Sequence, residues 1–316
     1  MKIKQFLCLF LISLFLAFSA CSNSSTEKTG RESNYSSEKE RILIDGTELN
    51  CVIEGTGKPA LVIGSSVYYP RTFSSDLRNH LRLYFVDMRW FAKNYLPVKL
   101  NEYNLNTLTS DIEKVRQDLN LEKVIIVGHS IHGAIAFEYA RRFPDRVSNI
   151  IMIGSPDYQS NKQQEDAVND IWKTASEERV KVMNENWKKL AAMKGLSPAQ
   201  FEVENYCLMS PKYWYDPYYD AHWLWEDMTL NTDLLYHIYS SVFNDYYMFR
   251  EERRVPAPTF VALGRFDYVD PHTLWYGHDD IKDLTIRIFE KSGHTPQLEE
   301  SELFDNEILR WITENQ

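Results

Sequence analysis

Two rhythms of apolar residues run along this chain and divide it. From Arg41, short apolar runs alternate with longer amphipathic stretches. "RILIDG" and "TELNCVIEG" predict a strand pair around a glycine turn, and "ALVIGSS" and "LRLYFVDM" predict two more strands. A helical stretch over 105–119, the strand "KVIIVG", a helix over 131–143 and the strand "VSNIIMIG" follow. Most of these strand runs are continuously apolar rather than alternating, the pattern of strands covered on both faces. Such strands separated by amphipathic helices predict an α/β domain: a mostly parallel sheet with helices on both sides.

The rhythm breaks after Ser155. Residues 157–200 are charged and helix-prone, and 201–250 hold 15 of the chain's 43 aromatic residues, about twice an even share. Alternation resumes with "APTFVALG" and "LTIRIFEKSG" and ends in a helix over 298–312. The simplest organisation is one sheet interrupted by a helical insertion, with core segments at 41–155 and 251–316 and the insertion at 156–250. No internal repeat is evident.

Before Arg41 the pattern is different again. "MKIKQFLCLFLISLFLAFSAC" joins basic Lys2 and Lys4 to an uncharged apolar run that small residues close, which reads as an export signal over 1–20. The run is shorter than the ~20 residues of a spanning helix, and no basic stop-transfer cluster follows. "FSAC" resembles the lipobox of bacterial lipoproteins, with Phe18 where leucine is usual. The resemblance implies a lipid on Cys21 and a protein anchored to a membrane of the bacterial cell envelope. The polar, serine-rich 21–40 cannot bury enough apolar surface to offset ordering and is expected to be a tether.

Composition narrows the partners. The chain has 316 residues, is 44% hydrophobic and carries a net charge of −10. Loss of Lys2 and Lys4 with the signal makes the mature protein more acidic still. No lysine or arginine run is long enough to neutralise consecutive phosphates, so nucleic acid is not an expected partner. Of four cysteines, Cys51 and Cys207 remain for the folded part, far apart and expected as buried thiols. No histidine pair sits at ligand spacing with a supporting carboxylate, so no metal is expected, and no cofactor is implied.

Candidate chemistry centres on "VGHSIHGAIAFEYA", where an apolar strand passes directly into a helix with Ser130 at the junction. A serine on such a turn presents its hydroxyl at the carboxyl edge of the sheet, above helix N–H groups that favour negative charge. "GHSIHG" resembles the G-x-S-x-G elbow of the α/β-hydrolase superfamily, with His132 where the second glycine belongs and Gly133 next. A serine hydroxyl needs a base, and the base needs a group that fixes its tautomer. In that superfamily the acid and the histidine follow later, each after a late strand. "ALGRFDYVDP" places Asp267 there and "EKSGHTPQLEE" places His294, with Asp270 and then Asp157 as weaker candidate acids. The His129 side chain is expected to point away from the serine, and His132 to shape the site.

The resemblance also implies an oxyanion hole. Its donors would be the backbone N–H groups of Ile131 and of Ser65 in "VIGSSVYYPRTFS", with Ser66 one residue of slippage away. "VDMRWFAKN" is similar to a superfamily stretch that implies loop-bracing roles for Asp87 and Arg89. The insertion after "IMIGSP" and the ending "SGHTPQLEE" look most like capped hydrolases of the proline iminopeptidase type. In those enzymes acidic cap residues hold the substrate's amino terminus, and here Glu202, Glu204, Asp216, Asp220 or Glu226 is available. Trp214 and Trp223 are expected to line the lid.

The resulting expectation is a serine hydrolase acting on an ester or amide of a small or peptide-like substrate. A proline iminopeptidase-type aminopeptidase, a non-catalytic binding lipoprotein and a non-hydrolytic enzyme of the same fold are the alternatives.

Overall fold

The computed structural model describes residues 37–93, 99–157, 161–244, 246–249 and 253–315. The export segment 1–20, Cys21 and most of the 21–40 tether lie outside them. Eight strands form one sheet: β1 (Glu38–Ile44), β2 (Thr47–Glu54), β3 (Lys58–Gly64), β4 (Leu81–Asp87), β5 (Val124–His129), β6 (Val147–Ile153), β7 (Thr259–Gly264) and β8 (Leu284–Phe289). Their spatial order is β1-β2-β4-β3-β5-β6-β7-β8. β1 and β2 form a hairpin, β2 is antiparallel to β4, and every pairing from β4 to β8 is parallel. The hairpin turns at Asp45 and Gly46, both at positive φ (49° and 80°), the Asp-Gly combination that suits a tight hairpin.

β1 starts at Glu38, inside the segment expected to be tether. Glu38 to Arg41 are exposed and pair with β2 through the backbone, helped by an Arg41–Glu48 ion pair (3.7 Å), so no apolar pattern announces them.

Helices cover both faces. On one side α1 (Leu105–Asp118) and α2 (Ile131–Arg142) press Leu108, Ile112, Val115, Ala134 and Ile135 against the sheet. Asn104 caps α1 by accepting from the N–H groups of Asn106 and Thr107. Between β6 and β7 the insertion supplies α3 (Asn161–Trp172), α4 (Glu177–Ala192), α5 (Pro198–Leu208), α6 (Ser210–Tyr213), α7 (His222–Trp225) and α8 (Thr232–His237). It has a small core of its own in Cys207, Trp214, Ala221 and Leu224.

The chain then returns to the sheet and ends in α9 (Pro296–Glu299) and α10 (Ser301–Glu314), where the sequence pattern suggested one helix. On the second face of the sheet, α10 packs Phe304, Ile308, Trp311 and Ile312. Cys51 and Cys207 are buried free thiols, as expected. Every strand and both large cores lie within the compact unit Tyr35–Gln316, so this segment carries its own core.

Asp87 and Arg89 act as braces. Asp87 accepts from the Ser66 N–H (2.7 Å) and from Asn50, and the buried Arg89 guanidinium forks onto Asp111 at 2.7 and 2.8 Å.

Candidate active site

Ser130 occupies the single residue between β5 and α2, at φ 55° and ψ −130°. A serine seldom holds that backbone unless its surroundings impose it. Here its N–H donates to the Ile153 carbonyl of β6 (2.8 Å), and glycines remove the side chains that would block the turn. A Cβ on Gly128 would stand 2.1 Å from the His132 carbonyl oxygen, and one on Gly133 would stand 2.5 Å from Ser155 Oγ. The crowded second position is therefore Gly133. His132, one residue earlier, swings sideways and stacks on Trp90 (ring centroids 5.5 Å apart, 22° between planes). Burial depresses its pKa to about 4, so the ring is neutral near pH 7.

Asp267 follows β7 and His294 follows β8, so the carboxyl ends of neighbouring parallel strands bring them together. Asp267 is fully buried. Its Oδ1 accepts the N–H groups of Val269 and Asp270, both at 2.9 Å, and its Oδ2 lies 2.7 Å from His294 Nδ1. Burial alone would depress the His294 pKa, but the charge and hydrogen bond of Asp267 outweigh it and hold the value above normal. A proton is thus held at Nδ1, which leaves Nε2 to exchange one.

Asp270 is also in this cluster. Gln164 of α3 donates to its Oδ1 (3.1 Å), and the Ser130 side chain hydrogen-bonds to it. Burial pushes its pKa up to about 7, although His294 and these hydrogen bonds pull the other way.

The backbone of the His294 loop is held from three sides. The His294 N–H donates to the Tyr213 carbonyl of α6 (2.6 Å). Its carbonyl accepts from His129 Nε2 (2.9 Å), whose Nδ1 faces the Tyr69 hydroxyl at 3.4 Å. The Glu299 carboxylate accepts the N–H groups of Gly293 (2.9 Å) and Thr295 (3.2 Å), and of Tyr215 in the insertion (2.6 Å). Arg179 of α4 braces the same stretch by donating to the carbonyls of Pro211, Trp214 and Tyr215. The Tyr268 N–H of the acid loop donates to the Lys212 carbonyl (3.0 Å).

The fold has counterparts in known proteins. Residues 55–301 match the alpha/beta hydrolase fold family. The AB hydrolase superfamily protein YclE of Bacillus subtilis is 35% identical over 270 residues, covering 85% of this chain and 96% of that protein. This chain belongs to the α/β-hydrolase family. Among solved structures, an alpha/beta fold family hydrolase from Bacillus anthracis superposes with a TM-score of 0.63 at 18% identity. It covers 89% of this α/β-hydrolase and 99% of its own chain. An esterase from Exiguobacterium antarcticum gives 0.58 at 20% identity, covering 86% and 98%. At such identities these two speak for the fold.

Within this α/β-hydrolase, Ser130, Asp267, Asp270 and His294 lie together. Ile131 opens α2, so its N–H has no carbonyl within the helix to bond. The Ser66 N–H is taken by Asp87. Asp157 pairs with His278 (2.9 Å), away from His294.

The proposed cap contacts are dispersed. Trp214 is buried in the cap's own core against Tyr219 (4.2 Å), while Trp223 is 40% exposed and donates to the Tyr219 hydroxyl. Glu204 faces His222, Asp216 accepts the Tyr218 N–H, and Glu202 accepts from Tyr236. The Glu226 carbonyl accepts from Arg71. Sequence reasoning missed Tyr213, Arg179, Glu299 and Gln164, and it gave His129 no part in holding the His294 loop, whose carbonyl its ring bonds. Among the described residues, no group of three or more His, Cys, Asp or Glu side chains is arranged to hold a metal ion.

Proposed function

We propose that this α/β-hydrolase cleaves an ester or amide of a small or peptide-like substrate through an acyl-enzyme on Ser130. Ser130 Oγ attacks the carbonyl carbon while its proton passes to His294 Nε2, and Asp267 stabilises the imidazolium that forms. The oxyanion is met by the N–H groups of Ile131 and Ser65. Collapse expels the alkoxide or amine, which takes the proton from His294. Water then repeats the sequence and releases the acid.

The observation that carries this reading is the buried Asp267–His294 pair, bonded at 2.7 Å, beside a serine held at positive φ. Glu204 and Asp216 are engaged within the cap, which favours an ester or simple amide over an aminopeptidase substrate. The test is labelling with a fluorophosphonate. Wild type should be labelled and Ser130→Ala should be inert with an unchanged melting temperature, whereas equal labelling of the two would remove Ser130 as nucleophile.

We further infer from "FSAC" that residues 1–20 direct export and that Cys21 is acylated, which makes the protein a lipoprotein of the bacterial envelope. Incorporation of labelled palmitate that Cys21→Ser abolishes is the expected result.

A further inference from the structure

The tip of the hairpin made by α4 and α5 differs from the rest of the surface. Between Glu185 and Glu202, which bound it, the chain contains Lys188, Lys189 and Lys194 and no acidic residue, in a protein of net charge −10. All three lysines are exposed. Among them stand four large apolar side chains open to solvent: Trp187 (42% exposed), Met193 (36%), Leu196 (36%) and Phe201 (43%). α4 turns Val182, Met183 and Asn186 inward, so these apolar residues are surplus to the cap's packing.

A tip that is cationic and apolar at once has a specific complement. Lysines are drawn to anionic headgroups, while tryptophan and aliphatic side chains gain by entering the boundary between headgroup and acyl chain. We propose that the α4–α5 tip is a docking surface for an anionic lipid bilayer. The occupant is argued from charge: a locally positive apolar tip on a negative protein presents the tip to such a surface and turns the rest away. The chain before the described residues agrees. If Cys21 is acylated, residues 21–36 can span at most roughly 55 Å, which holds the folded unit within reach of the bilayer. The tip itself does not depend on that acyl group.

The unit Tyr35–Gln316 separates the two, because it carries the complete sheet and its cores but no acylation site. It should co-sediment with vesicles of mixed phosphatidylglycerol and phosphatidylcholine at low salt, detach as salt is raised, and bind phosphatidylcholine vesicles weakly. Reversing Lys188, Lys189 and Lys194 to Glu should weaken partitioning by about 100-fold or more, since each lysine near the surface contributes about a factor of five. Trp187→Ser should weaken it on both vesicle types, and thermal unfolding of each variant should match wild type. Undiminished sedimentation of the lysine variant, or no sedimentation of wild type, would overturn the proposal. Self-association without vesicles that the same substitutions abolish would overturn it in favour of a second copy of this chain.

Discussion

Gly293 precedes the candidate base, and a single methyl group there measures how firmly the cap holds it. A Cβ at Gly293 would stand 2.3 Å from the Tyr213 carbonyl oxygen and 2.8 Å from both Tyr213 C and Trp214 Cα. Ordinary contact begins at 3.4 Å, so the two backbones must part by about 1 Å. All three atoms are main chain, and no side-chain rotation relieves them. The same carbonyl receives the His294 N–H at 2.6 Å, and the Gly293 N–H is bonded to Glu299. Gly293→Ala should therefore cost about 1–3 kcal/mol of overpacking, plus about 1 kcal/mol for each hydrogen bond lost.

A displacement of that size at the base should lower kcat on p-nitrophenyl acetate by about 100-fold with a smaller change in KM. Calorimetry and steady-state kinetics read both quantities. Gly277→Ala is the control: its φ is +85° with open space around the site, so it strains the backbone without touching the site. Gly277→Ala should lose stability and keep kcat. Wild-type kcat and melting temperature in Gly293→Ala would refute the idea that the cap positions His294.

The acid can be assigned by comparison: Asp267→Asn should slow acylation by up to about 10⁴-fold through the wrong histidine tautomer, and Asp270→Asn far less, as single-turnover kinetics would show. Reversed effects would make Asp270 the orienting acid. Asp270 keeps its proton to about pH 7 in the fold but loses it near 3.8 when unfolded, so folding holds an extra proton in that window and stability falls as pH rises through it. Asp270→Asn should remove that slope, gaining at most about 4 kcal/mol relative to wild type at pH 8 and little near pH 4, measured by urea unfolding. Arg89→Met would leave Asp111 buried without its guanidinium partner and should cost about 3–5 kcal/mol in the same assay.

Strands and helices of the core were legible because their side chains meet the sheet, and the meeting leaves an apolar period. The Asp267 and His294 positions were legible for a related reason: each follows a readable strand, and the serine before α2 asks for both. What could not be read is what works through the backbone. Glu299 and Arg179 bond peptide groups whose own side chains are immaterial, and the Glu299–Tyr215 bond crosses 84 residues. Trp214 shows the converse limit, since an aromatic cluster does not say which member faces the cleft and which fills the cap's interior. His132 was expected to shape the site, because nothing local reveals that Gly133 takes the crowded position and that Trp90 stacks on the ring.

The bonds from Lys212, Tyr213 and Tyr215 to the acid and histidine loops bear on how such a roof can be exchanged. A graft that replaced the whole insertion between β6 and β7 would remove acceptors for the Tyr268 and His294 N–H groups and a donor to Glu299. It would also take away Gln164, which donates to Asp270. Such a chimera would be handicapped even with an ideal new binding surface. The transplantable segment begins beyond Tyr215 and ends before Asn231, whose N–H donates to the Trp90 carbonyl (2.7 Å) ahead of Leu234, Leu235 and Ile238 in the main core; a library confined to the exposed side chains of residues 216–229 would vary the ceiling while leaving the joinery beneath it in place.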